Sequence, residues 1–140
     1  MTTVSAGQVP VEQPAELRVE YQRTYPGWAD QVHRVRRDVA KHLDECPVTD
    51  DAVLIASEFA TNAILHSRSR GVHFTIRVEL YTGHARVECQ DAGGVWRGRH
   101  QDEDRPHGLN VVEALTGGPA AWGVEVTGGS GRIVWARLEW

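Results

Sequence analysis

Between Ala52 and Leu65 the chain reads AVLIASEFATNAIL, and only Ser57, Glu58, Thr61 and Asn62 in that run are polar. A stretch of this length, apolar on nearly every side, predicts a helix buried against a sheet or other helices. Each residue advances about 100° around the helix axis, so Glu58, Asn62 and His66 climb one stripe. Leu54, Ile55 and Leu65 flank that stripe, leaving a carboxylate and an amide on an otherwise dry surface. A buried carboxylate without a partner is costly, and the usual resolution is a proton or a ligand. Glu58 and Asn62 are therefore candidate site residues. The plainer alternative is a capped or water-satisfied polar pair beside the core.

Such a helix needs a sheet to lie on, and the rest of the chain supplies strands. Val72, Phe74, Ile76, Val78 and Leu80 alternate with His73, Thr75, Arg77 and Glu79, then Thr82-Gly83-His84 makes a turn. Val87 and Cys89 continue the inward row, and the next inward position is Asp91, just before Ala92-Gly93-Gly94. Upstream, Leu17, Val19 and Tyr21 alternate in a first strand that ends near Pro26-Gly27. Trp28, Val32, Val35, Val39 and Leu43 follow at helical spacing, with Arg34, Arg36 and Arg37 on a solvated surface. Cys46-Pro47 stops this helix, and Thr49-Asp50-Asp51 offers an N-cap and an acidic first turn to the next.

From Ala92 to His107 no periodicity survives, and Gly, Arg and acidic residues dominate. Structureless loops longer than about 12–15 residues tend to be lids or binding loops. Gly108 to Leu115 reads as a short helix, closed at Gly117-Gly118-Pro119. Two strands end the chain, around Ala121–Thr127 and Arg132–Trp140, with Val134, Ala136, Leu138 and Trp140 on one face. Trp122 and Trp135 read as core or edge-packing aromatics, and Cys89 as a small buried hydrophobe. The expected fold is α+β, an antiparallel or mixed sheet with helices on one face. Residues 1–15 are polar, Pro-containing and aperiodic, which predicts a disordered tail before a single domain over 16–140.

Composition removes several function classes. A net charge of −4 over 140 residues argues against direct nucleic-acid binding. Lys41 is the sole lysine and lies in no glycine-rich loop, which excludes a Walker-type phosphate loop. Cys46 and Cys89 are isolated, and the seven histidines lack zinc-site spacing. No apolar run approaches the ~20 residues that span a bilayer, and the first residues carry no secretory pattern. A cytoplasmic protein without membrane contact is expected.

Three segments remain: Glu58 and Asn62 on a buried helix, Asp91-x-Gly93 at a strand end, and the long loop that leads to Gly108. Together they suit a nucleotide. An Asn oxygen is a hard ligand for Mg²⁺, which takes few protein ligands beside phosphate and water. A strand-end carboxylate can accept an exocyclic amine, and a glycine at a helix start presents free N–H groups to phosphate.

In this order the motifs resemble those of the GHKL, or Bergerat-fold, ATPases, above all the small bacterial anti-sigma-factor serine kinases and their single-domain actinobacterial relatives. The likeness runs from Tyr21 to Trp140. It rests on Glu58-Phe59-Ala60-Thr61-Asn62-Ala63-Ile64-Leu65-His66 as the N-box, on Asp91-Ala92-Gly93, on His107-Gly108-Leu109, and on the last hairpin with Trp122-Gly123 and Gly131-Arg132-Ile133-Val134-Trp135. The resemblance implies a two-layer α/β sandwich, with a mostly antiparallel sheet and an ATP lid over residues 94–107. It implies that Asn62 holds Mg²⁺, that Asp91 and Gly93 receive adenine, and that Glu58 is the base toward a serine hydroxyl. Arg105, His107, Gly108 and Leu109 would contact phosphate. The implied activity is a serine/threonine-protein kinase using ATP and Mg²⁺. Its implied partners are a STAS-type anti-anti-sigma protein and a sigma factor, with a homodimer possible. The alternative function is a nucleotide-gated binder that sequesters its partner without catalysis.

The chain departs from the family pattern at three places: Val95 and Pro106 replace glycines, and Arg132 stands where a threonine often helps to hold adenine. Proline fixes φ and removes a donor, so phosphate contacts from that turn would be fewer. Arg105 could compensate as a bidentate ligand. His66, at the end of its helix, suits a partner for the helix dipole better than a catalytic base.

Overall fold

The computed structural model describes residues 16–67, 69–93, 109–117, 121–127 and 131–140. The tail expected over 1–15 lies outside them, as do the lid expected over 94–107 and its neighbour Gly108. The elements run β1 (Leu17–Pro26), α1 (Gln31–His42), α2 (Thr49–His66), β2 (His73–Tyr81), β3 (His84–Asp91), α3 (Leu109–Thr116), β4 (Trp122–Val126) and β5 (Arg132–Glu139). The strands form one sheet in the order β1-β2-β3-β5-β4. Every described pairing is antiparallel, so the sheet is simpler than the mixed one the sequence allowed.

The period-two rows place the core. Phe74, Ile76, Val78, Ala85, Val87, Cys89, Val134, Ala136 and Leu138 are all buried. All of these but Ala85 join Val35 and Val39 of α1, Ile55, Phe59 and Ala63 of α2, and Val112 of α3 in one hydrophobic cluster. Helices thus cover one face of the sheet, giving the expected two-layer α+β sandwich. The other face carries charge pairs, Arg77 with Glu20 and Glu79, and Arg86 with Glu88. That alternation, apolar inward and charged outward, is what a half-solvated antiparallel sheet requires.

The seam between β1 and α1 is closed by a polar cluster. Tyr25 is fully buried, and its hydroxyl donates to Asp38 Oδ2 at 2.8 Å. Tyr21 donates to the same oxygen at 3.1 Å and Arg23 Nη1 reaches it at 2.9 Å. His42 stacks on Tyr21 with ring centroids 3.9 Å apart. Burial pushes the Asp38 carboxyl up, but the hydrogen bonds from Tyr25 and Tyr21 and the Arg23 charge outweigh it and hold it below its ordinary value.

Four local expectations change. Trp28 does not join the apolar stripe of α1; it precedes the helix and is 56% exposed, with its ring over Gly71. Thr49 does not cap α2. It is the first helical residue, and its hydroxyl donates backward to the Leu43 and Cys46 carbonyls, while Asp50 and Asp51 hold the acidic first turn. Val72 precedes β2 and is 57% exposed. Trp140 follows β5 and is 48% exposed, outside the inward row of Val134, Ala136 and Leu138. No described helix is long and apolar enough to cross a membrane.

Candidate functional site

Helix α2 buries Ala52, Ile55, Ala56, Phe59, Ala60, Ala63 and Ile64, as the apolar run predicts. Its polar residues divide into two kinds. Ser57 donates to the Leu54 carbonyl and Thr61 to the Ser57 carbonyl, so their hydroxyls are satisfied within the helix. Asn62 is 3% exposed, and among the described residues neither its Oδ1 nor its Nδ2 has a hydrogen-bond partner. Leaving a buried amide unpaired costs about 1–3 kcal/mol. Such a group in a native fold calls for an explanation, and a water, an ion or a ligand would each supply one. One turn earlier, Glu58 is only partly buried. The fully dry carboxylate expected from the sequence is therefore replaced by one that an incoming group can reach.

Strand β3 delivers Asp91 as the last residue of its inward row, buried like Ala85, Val87 and Cys89 before it. Burial, then the Asp91 charge, push the Cys89 thiol well above its ordinary value, consistent with an inert core cysteine. Asp91 Oδ1 accepts the Gly93 N–H at 2.7 Å, and Gly93 takes φ +75°, a conformation that favours glycine. The other oxygen belongs to Arg132. Asp91 pairs with Arg132 in the β3–β5 register, and Arg132 opens the buried row of β5 just as Asp91 ends that of β3. Arg132 Nη2 donates to Asp91 Oδ2 at 2.9 Å and Nε at 3.3 Å. Both side chains are nearly sealed, with 7% of Arg132 and 2% of Asp91 exposed.

A tie that sequence reasoning passed over steadies this strand end. Ala92 N–H donates to Ser69 Oγ at 2.9 Å, and Ser69 N–H donates to Ser67 Oγ at 2.9 Å. Ser67 Oγ in turn donates to the Ala63 carbonyl at 2.6 Å, closing the end of α2. The same loop leans on the residue after β1, where Gly71 N–H donates to the Gly27 carbonyl at 2.9 Å. Any Cβ at residue 27 would run into the Ser69 carbonyl oxygen, so only glycine fits there. The available signal was the pair of serines directly after a helix, residues whose hydroxyls bond readily to nearby backbone.

The sequence candidates thus sort by place. Glu58 and Asn62 occupy successive turns of α2, which packs across β2 and β3. Asp91 and Gly93 share a hydrogen bond at the end of β3. Leu109 opens α3, and this helix packs against α2, β4 and β5. Arg105, His107 and Gly108 lie outside the described residues. Among the described residues no group of three or more His, Cys, Asp and Glu side chains could hold a metal ion. The orphan Asn62 oxygen does fit Mg²⁺, a hard cation that often takes only one or two protein ligands. Asp91 fits an adenine amine less well, because its carboxylate is sealed under Arg132.

No protein-family model matches the chain, and no curated protein matches it in sequence. In fold it is similar to a solved structure of the RsbU and RsbW domains of Rv1364c from Mycobacterium tuberculosis, with a TM-score of 0.64 at 20% identity. The match takes in 86% of this chain and 32% of that one. At that identity the likeness is one of fold.

Proposed function

We propose that the chain is a partner-switching regulator of the anti-sigma kind that binds ATP·Mg²⁺ beside Asn62 and phosphorylates a serine of a STAS-type anti-anti-sigma protein. The observation that carries this reading is the Asn62 amide, buried and unpartnered on α2. Support comes from the ordered motifs of the sequence and from the fold likeness to a structure that includes an RsbW domain.

The bound cation would neutralise charge on the phosphates. Asn62 would fix its position, and the start of α3 at Leu109 would turn backbone N–H groups toward phosphate. Glu58 would take the proton of the incoming serine hydroxyl. The serine oxygen would bond to the γ-phosphorus as the bond to the β–γ bridging oxygen breaks, and ADP would leave. Phosphoryl transfer depends mainly on positioning and electrostatics, so a partly exposed carboxylate one turn from the metal ligand is suitably placed. The partner would be bound, released on phosphorylation, and replaced by a sigma factor.

The test is incubation with γ-labelled ATP, Mg²⁺ and candidate STAS proteins. Label should pass to a serine of the cognate protein, and Asn62→Ala should abolish the transfer. A second reading draws on the sealed Asp91–Arg132 pair: a nucleotide-gated binder that works by stoichiometric association. It gains if the chain binds a partner in a nucleotide-dependent way yet never labels it.

A further inference from the structure

The Asp91 carboxylate already has an occupant supplied by the chain itself. Arg132 reaches it through two N–H groups of one guanidinium, and Gly93 N–H holds the other oxygen. A nucleobase amine is a neutral donor offering one N–H to that edge, whereas the guanidinium offers a charge-assisted pair, the stronger class of hydrogen bond. Displacing Arg132 would also leave a charge uncompensated in a place where 2% of the Asp91 side chain meets solvent. A neutral base therefore loses the competition for this carboxylate.

We infer that Arg132 is a built-in substitute for the nucleobase: the chain binds nucleoside triphosphates by their magnesium-bound phosphates and does not read the base. This rests on the nucleotide reading above and specifies its ligand class as a magnesium polyphosphate. Asn62 and the start of α3 provide the selective contacts. The β3–β5 end of the site stays closed during binding.

The test is calorimetry on the full chain with ATP, GTP and inorganic tripolyphosphate, each with Mg²⁺. The expected dissociation constants agree within about threefold. Arg132→Thr, a short β-branched residue suited to the first position of a strand, should uncover the carboxylate and favour ATP over GTP by at least about tenfold. Removing Arg132 could prevent folding, so the parent carries an independent readout. Its Arg132 side-chain Nε–H resonance, located by its loss in Arg132→Lys, should stay in place on saturation with ATP·Mg²⁺. A parent that prefers ATP over GTP tenfold, or whose Arg132 resonance moves on saturation, overturns the inference and leaves nucleotide binding intact. So does a folded Arg132→Thr that still treats the two alike. A parent that binds none of the three ligands overturns the nucleotide reading, and the inference with it.

Discussion

Two of the aspartates, Asp38 and Asp91, are each held by an arginine, and they sit in opposite circumstances. Asp38 closes the seam between β1 and α1 under two tyrosine hydroxyls, with Arg23 lying 45% exposed at its edge. Asp91 ends a core row of β3 beneath an Arg132 that is 7% exposed. The first is a clasp: hydroxyls and a surface cation satisfy a carboxylate that joins two elements. The second is an internal ion pair that joins the ends of the buried rows of β3 and β5. Burial alone did not distinguish a site from a clasp here. The distinction rests on a buried polar group of α2 with no partner among the described residues, Asn62.

The sharpest way to break the comparison is through chemistry. Glu58→Gln should keep ATP affinity within a few-fold and slow transfer to a cognate STAS protein by ~10²–10⁴-fold, the usual worth of a positioned base. Asp38→Asn should leave the transfer rate unchanged. Equal losses in single-turnover assays would erase the division between site and clasp. Next in size is stability. Arg132→Ala abandons a buried carboxylate and should cost about 3–5 kcal/mol in urea unfolding. Arg23→Ala removes an exposed partner and should cost far less. If the two costs are the same, the Asp91 pair is not buried in solution.

A smaller effect with the opposite sign is expected at Asn62. Asn62→Leu replaces an orphan amide by an apolar group of similar size and should stabilise the ligand-free chain by about 1–3 kcal/mol. The same change should abolish any response of the melting temperature to ATP·Mg²⁺. A destabilised variant would mean that Asn62 has a partner inside the fold. The mildest expectation concerns acid. The Asp38 carboxyl is held below its ordinary value, so below pH ~4 the unfolded chain binds the extra proton first. Its contribution is present above that pH and fades as pH falls through the folded value. Asp38→Asn should flatten this part of the pH–stability curve, as followed by circular dichroism.

Much of this was legible because period and position carry it. The two-residue rows gave β2, β3 and β5 and put Asp91 on the inward face, and the unbroken apolar run gave α2 with Asn62 inside. A row reveals which face a residue occupies and nothing of what lies beside it. The Asp91–Arg132 contact depends on the β3–β5 register across 41 positions, so Arg132 stood out in the sequence only as a departure. Trp28 and Trp140 misled in a related way. Each extends an apolar pattern by one step past the point where its element stops, and hydrophobicity does not mark that point. Thr49 had the right chemistry for a cap, but its hydroxyl found carbonyls in the preceding turn.

Gly27 carries no functional group and lies far along the chain from every candidate ligand, yet its missing side chain lets Ser69 and Gly71 seat against the end of β1 while Ser69 holds the end of β3. In an exhaustive mutational scan scored on ligand binding, residue 27 should tolerate as few replacements as Asn62. The cause would be architectural: a wall moved by one methyl group would shift the doorway on its far side.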